Sequence, residues 1–247
     1  MKAFLIVFTV VVLGSLAAMV AVSFSRSAAP DEAVHETRDL SGFHRLEVTG
    51  QVNVTLVQGT TEGVIVDAPA STRVRTKVRD QTLVIQTQDQ SHVWGWLAGS
   101  RGSRTPRITI NVRDLDRVEA AGAVKITAEK LKSTTLDVDL AGACTLSLRD
   151  LQATTLKLEG SGATRVDIAG SVVRQDVDLS GAGSYQAARL TSDEATVDVS
   201  GAGKAVVNAR NALTVDISGA GKVEYIGDPT LKQTISGIGK VSRRDAS

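Results

Sequence analysis

A small-residue motif centred on glycine recurs seven times in the second half of the chain, at intervals of 20, 20, 19, 20, 18 and 18 residues. A unit of this length cannot bury an apolar face by itself, so it must stack on neighbouring copies. The repeat therefore predicts a solenoid. Its glycines are Gly122, Gly142, Gly162, Gly181, Gly201, Gly219 and Gly237.

The residues that flank each glycine alternate between apolar and polar side chains. Val118 and Ala120 precede Gly122 by four and two positions, and apolar residues resume at Ile126 and Ala128. A period of two is typical of a strand with one buried face. Strands stacked from successive units pair in parallel at about 4.8 Å and need no crossover helix. The sequence therefore predicts an all-β fold, a single-stranded parallel β-helix.

We expect each repeat glycine to form a tight corner, because such corners need a positive φ or a close approach of two backbones. Alanine follows the glycine in the first six units, which we interpret as a crowded corner. The N-terminal half carries a less regular version of the pattern, with Gly50 in the same register. Residues from about 87 to 106 interrupt it and are predicted to be an inserted loop.

An uncharged and mostly apolar run extends from Ala3 to Phe24, directly after Lys2. Its length suits a membrane-spanning helix of about 20 residues, and equally a long secretory signal peptide. We therefore expect an N-terminal hydrophobic helix within residues 1–25, either cleaved or retained as an anchor, with the rest exported. Residues 26–36 are small and polar and are interpreted as a linker, which leaves 37–247 as the β-helix domain.

Several segments carry a family resemblance, namely Phe43 to Val48, Val54 to Gly59, Leu83 to Ile85 and the recurrent Ser-Gly-Ala-Gly-Lys units. Over roughly residues 40–243 the sequence resembles the head GIN domain family, also named putative auto-transporter adhesin. The terminal Ser-Gly-Ile-Gly-Lys unit is the most diagnostic piece. The resemblance implies a right-handed β-helix in a bacterial envelope protein, with an adhesive or polysaccharide-binding role. It brings no catalytic residues to this chain.

Two columns of charged side chains fall on the solvent side of the alternation. Like charges stacked about 5 Å apart repel by about 1 kcal/mol per pair in water. The simplest interpretation is that the two columns neutralise each other around the corner. The alternatives are that the acidic column binds divalent cations or that the basic column binds an anionic glycan. The acidic column is Glu119, Asp139, Glu159, Asp178, Asp198 and Asp216, and the basic column is Lys125, Arg165, Lys204, Lys222 and Lys240.

The interrupting loop holds two of the few aromatic residues, Trp94 and Trp96, close to Arg101 and Arg104. Exposed tryptophans can stack on sugar rings, which makes these four residues a candidate ligand-binding site. The alternative is that the indoles fill an open end of the coil.

Composition excludes several functions. The 28 basic and 27 acidic side chains give a net charge of +1, so no overall field favours nucleic acid. One cysteine and three histidines leave little for a metal centre or a catalytic triad, and no cofactor is expected. The acidic column offers carboxylate pairs of the kind that a glycosidase needs, but nothing distinguishes one pair from another.

We therefore expect a non-catalytic binding or adhesion module, exported to the periplasm or cell envelope or anchored in the inner membrane. Its partner would be a polysaccharide or another envelope polymer, held by many weak contacts along the repetitive face. One alternative is a structural module that forms homo-oligomers through its coil end. A polysaccharide-cleaving enzyme is a further alternative.

Overall fold

The computed structural model describes residues 33–89 and 105–245. These residues form a parallel β-solenoid of about six turns and contain no helix. No described segment is a helix that could cross a membrane. The predicted N-terminal hydrophobic helix, within residues 1–25, lies outside the described residues. Residues Ala33–Ser247 form one compact unit, and the whole of the described core lies within it.

The fifteen strands of the described residues belong to one sheet that winds around the core. In chain order they are β1 (Ala33–Arg38), β2 (Arg45–Gln58), β3 (Gly63–Pro69), β4 (Thr72–Arg79), β5 (Thr82–Asp89), β6 (Arg107–Val112), β7 (Arg117–Ala128), β8 (Leu131–Gly142), β9 (Thr145–Gly162), β10 (Arg165–Gly181), β11 (Ser184–Gly201), β12 (Lys204–Gly219), β13 (Lys222–Ile226), β14 (Thr230–Gly237) and β15 (Lys240–Arg243).

Strands β2 and β7 to β12 stack in parallel in the order of the sequence, and β13 to β15 complete the last turn. The pairing register aligns each repeat glycine with the glycine of the next turn, from Gly50 through Gly122 to Gly237. The parallel β-helix predicted from the repeat is confirmed, and so is the register assigned to Gly50.

Glycine is required at the repeat corners both by the positive φ and by the close approach of the neighbouring backbone. Gly201 has φ of +126°, and a Cβ placed on it would lie 2.7 Å from the carbonyl oxygen of Gly181 in the preceding turn. The interpretation of the alanine column as crowded is wrong. Ala202 is exposed, and Ile238 takes the same place in the last turn with 91% of its surface exposed.

The N-terminal end departs from the repeat, because its added strands pair antiparallel. Strand β1 pairs with β3, which pairs with β6, while β4 and β5 form a hairpin beside β2. Strand β1 begins at Ala33, inside the stretch that was predicted to be a linker. Its side chains from Val34 to Thr37 are exposed, so backbone pairing holds the strand and no apolar alternation marks it. Most of the predicted inserted loop lies outside the described residues, between β5 and β6.

The core is a set of inward-facing columns, one side chain from each turn. In the column two positions beyond the corner glycine, Val124, Cys144 and Thr164 are buried. Glycine takes this place in the later turns, beginning with Gly183, where a Cβ would crowd Leu179 and Thr164. The cysteine thiol contacts backbone carbonyls, and burial raises its pKa, so this side chain is core filler.

A buried chain of hydrogen bonds crosses the middle of the core. Tyr185 donates from Oη to Oε1 of Gln175 over 2.9 Å, and Gln175 donates from Nε2 to Oγ of Ser192 over 2.7 Å. The Ser192 hydroxyl then donates to the backbone carbonyl of Asn208 over 3.0 Å. Each of the three side chains in this series of hydrogen bonds therefore has a partner, as buried polar groups require.

Candidate functional site

The predicted acidic column is a ladder on one outer face of the solenoid. Its members are direct register partners from Glu119 to Asp216, one per turn. Neighbouring strands are about 4.8 Å apart, so the carboxylates repeat at that interval. Glu47 pairs with Glu119 and begins the ladder one turn earlier. Its position three residues before Gly50 marks it in the sequence, but the predicted acidic column includes only the regular repeats and so begins at Glu119.

The neighbouring outward column, two residues earlier on the same strands, supplies the counter-charges for the first half of the ladder. Arg117 donates from Nε to Glu119 over 2.5 Å and from Nη1 to Asp137 over 2.9 Å. In the turn after next, the ammonium of Lys157 lies 2.7 Å from Glu159. In this first half, from Glu119 to Glu159, both glutamates are therefore paired, whereas Asp139 between them forms no ion pair among the described residues.

The second half of the ladder has no such compensation. Within the described part of the chain, Asp178, Asp198 and Asp216 form no ion pair, and the nearby Asp176 adds a further negative charge. The residue beside Asp198 in the neighbouring column is Thr196, which pairs with a threonine in the next turn. We call Asp178, Asp198 and Asp216 the open ladder.

The carboxylate pKa values follow the ion pairs and not the two halves of the ladder. Partial burial, then the charges of Asp178 and Asp216, raise the pKa of Asp198. Burial and the two flanking glutamates likewise raise the pKa of Asp139. The hydrogen bond from Lys157 lowers the pKa of Glu159. Neighbouring carboxyl groups of the ladder therefore differ in the pH at which they lose their protons.

A serine column runs beside the open ladder, two residues further along each strand. Ser161, Ser180, Ser200, Ser218 and Ser236 are register partners from turn to turn. The face thus presents rows of carboxylates and hydroxyls at the strand spacing. Carboxylates accept hydrogen bonds only, whereas hydroxyls both donate and accept.

The basic column is also in register, but its counter-charges are not the acidic column. Lys204 and Lys222 pair with Glu224, over 3.5 Å and 2.7 Å. Among the described residues no ion pair joins the two columns, so the expected neutralisation around the corner is replaced by pairing within each face. The reason is reach, because partners two residues apart on one strand are closer than partners across the corner.

The other candidate sites are placed as follows. Trp94, Trp96, Arg101 and Arg104 lie outside the described residues, so their role stays a prediction. Within residues 33–89 and 105–245, no group of three His, Cys, Asp or Glu side chains is arranged to hold a metal ion.

The sequence profile described as "Putative auto-transporter adhesin, head GIN domain" matches residues 42–229. The chain belongs to the head GIN domain family. The match begins just before β2 and ends before β14, so it spans the ladder face except for the last turn. No curated protein is significantly similar to the chain.

Solved structures share the fold at low sequence identity. A putative adhesin from Bacteroides fragilis is 19% identical, with a TM-score of 0.76, over 87% of this chain and 98% of the other. A putative adhesin from Parabacteroides merdae is 17% identical, with a TM-score of 0.66, over 86% and 96%. A protein titled putative lipid binding protein, from Parabacteroides distasonis, is 17% identical, with a TM-score of 0.65, over 86% and 97%. At these identities the likeness establishes the head GIN fold.

Proposed function

We propose that this head GIN protein is an exported, non-catalytic adhesion module that binds an uncharged, hydroxyl-rich polysaccharide along the open ladder. The observation that carries the proposal is the row of carboxylates without an ion pair among the described residues, at Asp178, Asp198 and Asp216, bordered by the serine column, from which Ser180 donates to Asp178 over 3.3 Å. Sugar hydroxyls donate to carboxylates, so each turn offers one acceptor to a polymer laid along the axis. The ladder would repel an acidic polymer, and many weak contacts sum by multivalency.

Export is part of the same proposal. The family description names auto-transporter adhesins, and similar structures are titled putative adhesins. The apolar run of residues 3–24 is the segment that would direct export, either as a cleaved signal or as an inner-membrane anchor. Sequencing the N-terminus of the protein recovered from the envelope fraction tests this. A start near residue 24 or 30 supports cleavage, the initiator methionine supports an anchor, and recovery only from the cytoplasm contradicts export.

The ladder is tested with the fragment of residues 33–247 on immobilised neutral and acidic polysaccharides. Replacing the three open-ladder aspartates by alanine should weaken binding to a neutral polysaccharide at least tenfold, since each hydrogen bond contributes about 1 kcal/mol. The matched control replaces Glu119, Asp137 and Glu159 by alanine, which removes three ion-paired carboxylates from the first half. Equal loss in both variants, or no polysaccharide binding by the unmodified fragment, would refute the site.

A second candidate function is self-association at the C-terminal end of the solenoid. Among the described strands β14 pairs only with β12, and all of its residues are exposed, Ile235 at 40%. An unpaired edge with exposed apolar side chains can pair with another copy of the chain. Light scattering of the 33–247 fragment should then give a dimer mass that Ile235→Lys halves. Val57→Lys, on a distant strand and 45% exposed, is the control. A monomer mass for the unmodified fragment would exclude this function.

A further inference from the structure

Strand β4 carries a row of four exposed cations at the N-terminal end of the solenoid. Arg73, Arg75, Lys77 and Arg79 are exposed, while Val74 packs against the core. They alternate with inward residues, so all four point to the same outer face. At about 3.3 Å per residue the row extends over about 20 Å. We call these four residues the basic strip.

The basic strip has no ion-pair partner among the described residues. Within the described part of the chain, none of the four cations forms an ion pair. Their cross-strand partners on β5 are uncharged, namely Gln88, Gln86, Val84 and Thr82. From Thr72 to Asp89 the hairpin sequence contains two carboxylates, Asp80 in the turn and Asp89, which pairs with Thr72 at the end of β5. The nearest cation on β1, Arg38, pairs with Glu36 and donates to Thr76.

Protection of an open edge does not require four charges. Cations on edge strands discourage unwanted pairing with other chains. Of the strands that the structure describes, β5 alone pairs with β4. The edge strands at the other end of the solenoid, β14 and β15, contain Lys232, Lys240 and Arg243, and Arg243 pairs with Asp228. Among the described residues, the basic strip therefore has four cations without an ion pair, against two on the other edge.

The chain enters the fold beside the basic strip. Ala33, the first residue of β1, pairs with Pro69, three residues before β4 begins. The apolar run ends at Phe24, nine residues before Ala33. Nine residues extend over at most about 30 Å. A bilayer that holds or has just released the apolar run is therefore within reach of the strip.

We propose that the basic strip binds the anionic headgroup surface of a lipid bilayer and docks the N-terminal end of the solenoid on the membrane. The open ladder begins several turns away along the axis, so this site is separate from the proposed polysaccharide site. Cations close to an anionic bilayer each strengthen binding about fivefold, and the attraction falls off within a Debye length. The docked protein would direct its C-terminal turns away from the membrane.

The test is co-sedimentation of the 33–247 fragment with large vesicles, because this fragment contains the whole described core and lacks the apolar run. It should sediment with vesicles of phosphatidylcholine and phosphatidylglycerol (7:3) at 0.1 M NaCl, and not with phosphatidylcholine alone. Replacing Arg75 and Lys77 by glutamine should weaken binding about 25-fold. Raising NaCl to 0.5 M should abolish it.

The control replaces two other exposed cations, Lys130 and Arg210, by glutamine, which removes the same charge from a different surface. Circular dichroism confirms that each variant is folded. Equal sedimentation with neutral and anionic vesicles, or equal losses in both variants, would overturn the proposal. Binding of soluble polygalacturonate through the strip, with no binding to vesicles, would also overturn it and assign the strip to an anionic polymer.

Discussion

Replacing one corner glycine by alanine tests the physical basis of the repeat. At Gly201 the backbone has φ of +126°, which a residue with a Cβ rarely adopts. The added methyl group would lie 2.7 Å from the carbonyl oxygen of Gly181 and 3.1 Å from its nitrogen. Both neighbours are backbone atoms that hold the adjacent turn in register, so no side chain can rotate away to relieve the contact.

The expected cost combines two terms. A positive φ at a residue with a side chain costs about 1–3 kcal/mol. Forcing a methyl group against packed backbone costs about 1–3 kcal/mol more. Alanine recovers about 0.4–1 kcal/mol by restricting the unfolded chain. Gly201→Ala should therefore lower the free energy of unfolding by about 3 kcal/mol.

Substitutions at two further glycines measure the cost of the positive φ separately from the cost of the methyl contact. Gly42 has φ of +78° but no atom within 4 Å of an added Cβ, so Gly42→Ala should cost about 1 kcal/mol from the backbone alone. Gly59 has neither a positive φ nor a close neighbour, so Gly59→Ala should be nearly neutral.

Urea unfolding of the 33–247 fragment, followed by far-UV circular dichroism, measures all three variants. Hydrogen exchange in β11 and β12 localises the loss to the affected turns. The reasoning fails if Gly201→Ala unfolds within 1 kcal/mol of the unmodified fragment, or if Gly59→Ala is equally damaging.

Four other changes test the ladder, the core and the predicted loop. The raised pKa of Asp198 means that its carboxyl favours folding while protonated, below about pH 4, and that this contribution is lost as pH rises through the raised value. Asp198→Asn should therefore stabilise the fold by about 0.5 kcal/mol at pH 7 and not at pH 3, as measured by urea unfolding. Glu159→Gln should do the opposite, because its lowered pKa gives stability above about pH 4.3 that is lost as pH falls. Tyr185→Phe should cost about 1–3 kcal/mol by leaving a buried glutamine oxygen without its donor, and an unchanged urea midpoint would contradict this. Replacing Trp94 and Trp96 together by alanine should leave the unfolding midpoint nearly unchanged and weaken binding on a glycan array, and equal binding would reject the loop as a contact site.

The regular part of the fold was predictable because each turn repeats the same local conformation, a strand, a glycine corner and a second strand. A parallel solenoid requires the same inward and outward positions in every turn, so the glycine interval and the alternation fix both the strand pairing and the columns. Gly50 shows how far this extends, since the alternation around it predicted the register of the repeats in an irregular context, and β2 pairs with β7 in that register.

The N-terminal end was not predictable by the same means. Antiparallel pairing there depends on contacts between segments with no shared motif. The β4–β5 turn illustrates the difficulty, because Asp80 and Gln81 both have positive φ, 49° and 62°, with no glycine to indicate it. Strand β1 gives no apolar alternation because its side chains are exposed. The ion pairs were missed for a related reason, since side-chain reach is not visible in the repeat interval.

The arrangement of charge on the ladder face argues for a role beyond solubility. The two outward columns lie on the same strands, two residues apart, and the fold places no sign requirement on either. One of them mixes signs from turn to turn, with Arg117, Asp137, Lys157 and Asp176 in register. The acidic column has the same freedom yet keeps carboxylates through Asp216, against a repulsion of about 1 kcal/mol per neighbouring pair. Mixed signs would keep the surface equally soluble, so the uniform ladder supports the proposal of a partner that donates hydrogen bonds at every turn.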